Sequence, residues 1–390
     1  MAKNMPVYLD YHATTPCDEQ VIEAMLPYFT AQFGNPSATG HENGRKASAV
    51  IMEVKANIAK FIGGIPEGVI ITSGATEANN IAIMGHACAT GTERNEILIG
   101  SLEHASVSKT ALSLEKLGFV VKKIPANRDG FITADALKGL ISDKTRLVSV
   151  MTVNHELGTI QPIKDLAATA HSSGALFHTD ATQGVGKVPI DVDAMDIDML
   201  SLSGHKFYGP QGVGALYVRQ RPPVDLIPVM EGGRQQGVRS GTIPLALSVG
   251  LAKACDVAAS MMEREAERLQ ELSVLLCNTL NACGASYKIN GSVEGRLPGS
   301  LNICFADVCA EDVQTELAHD ICVATGSACA TKNKSPSSVL KAIGLSDEEA
   351  GRSIRISFGR KTGEQDVIFA AEKLGALAAK IAGNQKAQAV

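Results

Sequence analysis

The groups able to do chemistry fall into short polar clusters, each placed just after an apolar run. They are Thr72-Ser73-Gly74-Ala75-Thr76, His104, Asn154-His155-Glu156, Asp180-Ala181-Thr182-Gln183 and Ser203-Gly204-His205-Lys206. The last cluster leads. An alternating strand from Met199 to Leu202 runs into Ser-Gly-His-Lys and then a Gly/Pro turn, so Lys206 stands at the mouth of a buried strand among small residues. Desolvation lowers a lysine from its free value of ~10.4, and the neutral amine that results attacks a carbonyl to form a Schiff base. A surface lysine after a strand is the plainer account; the company of Asp180, Gln183 and, far downstream, Cys329 favours the chemical one.

The elements that position these clusters alternate. Short apolar runs at 69–72, 96–99, 120–124, 147–153, 176–179, 199–202 and 213–218 are separated, for most of their length, by helical patterns at 75–89, 105–117, 133–141 and 163–172. That order predicts an α/β fold with a mainly parallel central sheet covered by helices on both faces. In such sheets ligands bind beyond the C-terminal ends of the strands, which sends the polar clusters to one rim. A proline-rich connector covers 219–228, and a helical pattern from Pro244 to about Ala282 is long enough to bridge two units. Beyond Ser286 the pattern loosens into a smaller α+β unit, with strands at 301–305 and 354–358 and helices near 310–319, 335–343 and 364–384. The division expected is a large α/β domain over 16–260. A small α+β domain is built from 1–15 and 261–390.

Each cluster offers a distinct capability. Thr72 to Thr76 opens a helix with free backbone N–H groups and hydroxyls, an anion site or simply a capped start. It is neither GxGxxG nor a Walker loop, so neither a dinucleotide nor ATP is favoured. A carboxylate, a flat imidazole, an anion cradle and a desolvated lysine on one rim together suit pyridoxal phosphate, with Lys206 taking the aldehyde, the helix start the phosphate and Asp180 the ring nitrogen. A metal site built from His104, His155, His178, His205 and Cys329 is the competing reading. No HExxH or clustered Cys/His spacing supports it, and it leaves Lys206 unexplained. Cys329 lies in a run of small and polar residues, 324–337, that reads as an exposed, mobile loop; nearby Lys332 and Lys334 favour its thiolate.

Composition sets the bounds. At 45% hydrophobic and 20% charged, the 390 residues suit an ordinary globular chain. A net charge of -5 argues against an obligatory nucleic-acid or anionic-membrane partner, and the lack of tryptophan against a base-stacking platform. No apolar run reaches ~18 residues, the length that spans a bilayer. Nine scattered cysteines with no CxxC pair point to a reducing cytoplasm rather than a disulfide framework.

The segments YLDYHATTP, FGNPSATGH, TSGATEANN, EHASV, VNHELG, HTDATQGVGK, SLSGHKFYGPQGVGALYVR, VRSGTIP, ATGSACA and SIRISFGR follow one another over nearly the whole chain. In these the chain resembles the cysteine desulfurases of the NifS/IscS type, within the fold-type-I pyridoxal-phosphate enzymes. The resemblance implies that Lys206 carries the cofactor and later moves the α-proton, while His104 stacks on the ring as an acid/base. It assigns the ring nitrogen to Asp180, the phenolic oxygen to Gln183, and the phosphate to Ala75, Thr76, Ser203 and His205. Thr242 joins these from a second subunit, which implies a homodimer. Arg355, with Asn154 and His155, faces substrate. Cys329 takes sulfur from L-cysteine as a persulfide, releases alanine and passes the sulfur to an acceptor protein. That acceptor would be an iron–sulfur scaffold, or a partner in tRNA thiolation or DNA phosphorothioation. One departure stands out: His155 replaces the second Asn of the family's Asn-Asn-Glu. The alternatives are a selenocysteine lyase or other class-V enzyme, or a sulfur-relay scaffold that works by binding alone.

Overall fold

The structure is a computed structural model that describes residues 5–89, 93–233, 235–324 and 336–388, the last five as backbone only. Its strands in chain order are β1 (Val7–Tyr8), β2 (Val69–Thr72), β3 (Glu96–Gly100), β4 (Val120–Ile124), β5 (Thr145–Ser149) and β6 (Leu176–Asp180). They continue with β7 (Met199–Ser203), β8 (Gly214–Val218), β9 (Tyr287–Ile289), β10 (Ser300–Phe305), β11 (Ile321–Cys322) and β12 (Ser353–Ser357). Seven of these form one sheet in the order β2-β8-β7-β6-β5-β3-β4. Strands β3 to β7 run parallel, whereas β8 lies antiparallel between β2 and β7. The sequence pattern alone leads one to expect β8 parallel as well. The reason it reverses is length: the connection 204–213 is too short for the helical crossover that a parallel neighbour needs.

Strands β2, β3, β5, β7 and β8 are buried at every position, as helix-covered strands must be. Phe177 and Phe207 are fully buried beneath them, each such side chain contributing about 1.5–3 kcal/mol. Edge strand β4 shows the opposite, with Val120 exposed and Lys122 and Lys123 along it, a common way of blunting a sheet edge. Because β3, β5, β6 and β7 are parallel, the segments leaving them reach the same rim.

A second core surrounds the antiparallel sheet β12-β10-β9. The helix Leu245–Ala282 runs 38 residues without a break and joins both cores. Leu251, Ala254 and Ala258 pack into the first, Leu272, Leu276 and Leu280 into the second. Among the described residues it is the one helix long and apolar enough to cross a membrane, but 56% of its apolar window is buried, which makes it a core helix.

Near the N-terminus the chain forms two short helices, Glu19–Met25 and Pro27–Thr30, divided because Pro27 cannot donate into the preceding turn. One sequence expectation changes in detail. The pattern over 75–89 begins as helix Ala75–Asn80 and passes into a π turn, Ile81–Gly85. The short strands β9 and β11 and the helix Asp347–Gly351 were not read from the sequence. The helix has a capping box, Ser346 with Glu349, that marks its start.

Candidate active site

Strand β7 ends at Ser203 and its chain tightens into a 3-10 turn, Gly204–Lys206. The turn closes on itself where Gly209 N–H donates to Gly204 O at 2.9 Å. A Cβ at 209 would stand 2.9 Å from that oxygen, so only glycine allows the approach. Phe207 is pinned in the core against Phe61, leaving Lys206 on the opposite side of the chain. There Lys206 Nζ donates to His12 O and Ala13 O, each at 2.7 Å. The 11–15 segment that supplies both carbonyls is tied down by Thr15, whose backbone N–H and hydroxyl both donate to His205 O. Thr15 Oγ1 in turn accepts from Tyr208 N–H at 2.8 Å.

Lys206 lies on the wall of a cavity of about 790 Å³. Asp180, at the end of β6, lines it as well. Its Oδ2 accepts from Asn79 Nδ2 at 2.8 Å and its Oδ1 from Thr182 N–H at 3.0 Å, so the carboxylate is held in one orientation. Asn79 also donates to Ser106 Oγ. His104, the N-cap of helix Ala105–Ser113, accepts from Ser106 N–H through Nδ1 at 3.1 Å. A backbone N–H can only donate, so the proton of the neutral ring sits on Nε2. Burial lowers the His104 pKa, with Lys206 acting in the same direction and Asp180 against. Burial and the same cation bring His205 down to about 4.

Across the cavity, β2 ends at Thr72 and the chain passes through Gly74 at φ +151° and ψ -179°. That backbone region is closed to residues with a side chain. A Cβ at 74 would point towards Ser203 Oγ at 3.5 Å, filling space between the two. Ala75 and Thr76 follow as the first helical residues, whose amides have no intrahelical acceptor. Both line the cavity with Ser73, Ser203 and His205.

Arg355, on β12, closes the far side. Its Nη2 donates to Asp10 Oδ1 at 2.6 Å and its Nη1 to His155 O at 2.8 Å, which fixes the guanidinium plane. His155 lines the cavity with its ring edge-on to that of His104, centroids 5.5 Å apart. Burial holds its pKa well below the usual histidine value, helped by His104 and Arg355, so the ring is neutral. Glu156 beside it is raised by burial and accepts from Ser337 Oγ at 2.6 Å.

The structure therefore brings Lys206, His104, Asp180, Gln183, Ala75, Thr76, Ser203, His205, His155 and Arg355 to one cavity. Asn154 is not on its wall. It is fully buried, with its oxygen accepting the N–H groups of Glu156 and Leu157 and its amide donating to Leu102 O, so it shapes the turn that carries His155. Thr242 is exposed and away from the cavity. Cys329 lies outside the described residues. His178 points into the sheet, its ring nitrogens on Ser149 Oγ and Ser201 Oγ. Residue-by-residue reading of the sequence missed Asp10, His12, Ala13, Glu103 and Lys187, all in or beside the site. The turn residues of 11–15 act through main-chain oxygens, which no side-chain pattern reveals.

The family described as aminotransferase class-V matches residues 7–368. A curated relative named cysteine desulfurase IscS, from Rickettsia bellii (strain OSU 85-389), is 43% identical over 94% of this chain and 89% of its own length. Among solved structures, a NifS-like protein superposes with a TM-score of 0.88 at 32% identity, covering 96% of this chain and 99% of that one. A structure titled SspA in complex with cysteine gives 0.81 at 38% identity, covering 90% and 98%.

Proposed function

The chain belongs to the class-V aminotransferase family, and from its site we propose that it is a pyridoxal-phosphate-dependent cysteine desulfurase. The overall change is L-cysteine plus the thiol of Cys329 giving L-alanine plus a persulfide on Cys329. One carbon–sulfur bond breaks, one sulfur–sulfur bond forms, and no outside oxidant is needed. The observation that carries this reading is the Lys206 amine, held by two backbone carbonyls beside a fixed carboxylate, a glycine-lined anion cradle and a clamped guanidinium.

The residues present fit the cofactor. Gly74, Ala75, Thr76, Ser203 and His205 would hold its phosphate, Asp180 its ring nitrogen, Gln183 its phenolic oxygen and Lys206 its aldehyde. When bound, pyridoxal phosphate supplies an aldehyde that captures amines and a protonated ring that withdraws electrons from the substrate's α-carbon. Lys206 would present the amine that holds the aldehyde and would move the substrate's α-proton. Arg355 binds the substrate carboxylate, its plane already set by Asp10 and the His155 carbonyl. His104, with its proton on Nε2, would face the cofactor ring as a proton donor. Asn154 supports the substrate side through the turn it braces.

Chain length supports Cys329 as the sulfur acceptor. Ala324 pairs with the Arg355 backbone in both directions, at 3.1 and 2.7 Å. Ser337 is bonded to Glu156 on the cavity wall. Cys329 is five residues along from Ala324, so an extended chain covers at most ~18 Å, enough to enter the cavity. The described cysteines are all free thiols, which suits a reducing cytoplasm. A second copy of the chain is the proposed partner in a homodimer, supported by exposed Leu26, Phe29, Phe33 and Met230. The sulfur then passes to an acceptor protein, for which the basic Lys332 and Lys334 suit an acidic surface.

The test is direct. Cys329→Ala retains the visible cofactor absorption but forms no persulfide on the enzyme from L-cysteine, and Lys206→Ala loses the linkage that borohydride traps. Full sulfur release by the Cys329 variant would remove that residue from the mechanism.

A further inference from the structure

The Gln183 amide lies between two partners of opposite kind. Lys187 Nζ donates to its Oε1 at 2.8 Å, and its Nε2 donates to His12 O, also at 2.8 Å. The same His12 carbonyl takes the hydrogen bond from Lys206 Nζ at 2.7 Å. Two lysines are thus joined through one amide and one carbonyl. Lys187 stands outside the main cavity, facing a small enclosure behind the 11–15 segment whose walls include Tyr11, His12, Tyr208 and Glu265.

Among the described residues, the groups around Lys187 give it no opposite charge. Glu265, on the long helix, is bonded to Arg360 at 2.5 Å. Tyr11 and Tyr208 are both raised by burial and stay neutral. His12 is held neutral by burial, with Lys187 and Arg355 reinforcing it. The charged groups that act on Lys187 are Lys206 and Arg355, both cations, and Asp10 is committed to Arg355. Burial first, then these two cations, bring Lys187 down to about 7.

We propose that Lys187 is a positioning residue for the cofactor end of this site: it orients the Gln183 amide and couples the protonation of the nitrogen at Lys206 to its own. The proposal rests on the reading of Lys206 as the cofactor-bearing amine. An ammonium only donates and a carbonyl only accepts, so between Lys187 and His12 the amide has one orientation. Its oxygen faces Lys187, and its remaining N–H is left for the cavity. A charged Lys187 opposes a proton on the Lys206 nitrogen, and a discharged one does not. Two sites coupled in this way release protons in two steps that belong to the pair.

The experiment is a spectroscopic pH titration of the cofactor-loaded enzyme from about pH 5 to about pH 10, a range that covers both amines. Wild type, Lys187→Met and Lys187→Arg are compared, each with borohydride reduction and mapping of the labelled residue. The wild-type curve is expected to be broader than a single-proton transition. Lys187→Met gives a single step with its midpoint about one unit higher, the order of shift that a like charge imposes. Lys187→Arg, a cation that does not titrate in this range, gives a single step at or below the wild-type midpoint. Superimposed wild-type and Met curves, or Met and Arg curves displaced together, overturn the proposal. Should Lys187→Met not load cofactor, the Arg variant alone decides: retention of the broad wild-type curve overturns it. A wild-type enzyme with no borohydride-trapped label on Lys206 instead overturns the underlying functional reading, so the two failures are distinct.

Discussion

Ser337 gives a sharp way to test how the site is held together. Its hydroxyl donates to Glu156 Oε2 at 2.6 Å and accepts from Leu340 N–H at 3.2 Å, capping the helix Ser338–Ala342. Replacing it by alanine removes both contacts. The lost cap costs about 1 kcal/mol. The buried carboxyl of Glu156, left without that donor, adds about 1–3 kcal/mol. Ser337→Ala is therefore expected to lose about 2–4 kcal/mol in urea unfolding followed by circular dichroism. Because Ser337 ties one end of the span holding Cys329 to the cavity wall, the first-turnover rate of persulfide formation falls as well, while cofactor binding stays unchanged. A Glu156→Gln variant keeps an oxygen to accept from Ser337 and is expected to be much milder. A Ser337→Ala loss below about 0.5 kcal/mol, the scatter of ordinary surface substitutions, together with an unchanged first turnover, would show that this bond anchors nothing.

Two further outcomes follow from the geometry. Gly74→Ala forces a side chain into a glycine-only backbone region and into the space facing Ser203 Oγ; it costs about 1–3 kcal/mol and weakens cofactor retention in dialysis roughly tenfold or more, and a variant that loads as tightly as wild type refutes the cradle. His171 is held above its usual pKa, first by its hydrogen bond to Asp198 and further by Asp196. A raised folded-state pKa gives stability that is complete below the unfolded value of ~6.5 and lost as pH rises through the folded one. His171→Gln should therefore cost about 1–2 kcal/mol more at low pH than well above neutrality, and equal losses at both ends would count against the charged pair.

The α/β fold was legible because apolar runs of strand length alternate with helical periodicity over residues 69–218, and because polar residues follow those runs directly. The rim assembled from Asp180, His104 and Lys206 came from the same rule about strand ends. What escaped is physical in origin. The direction of β8 is set by the length of a connection rather than by its own residues. Strand β11, two residues long, carries too little pattern to register, yet by pairing with β1 it helps bring the 11–15 segment under Lys206. Asn154 was assigned to substrate by resemblance, and its place is fixed by two hydrogen bonds from its own turn and one to Leu102 O. Lys187 sits in the same HTDATQGVGK stretch as Asp180 and Gln183; only the three-dimensional path of His12 shows why a lysine there matters.

The two oxygens that receive the Lys206 amine belong to the peptide chain itself. No substitution at position 12 or 13 deletes them, so this part of the machinery is sheltered from point mutation and cannot be retuned by swapping one functional group for another. Variation can reach it only by bending the route of the main chain, and Thr15 fastens that route through its hydroxyl and amide. The vulnerable spot is therefore a threonine that touches no reactant.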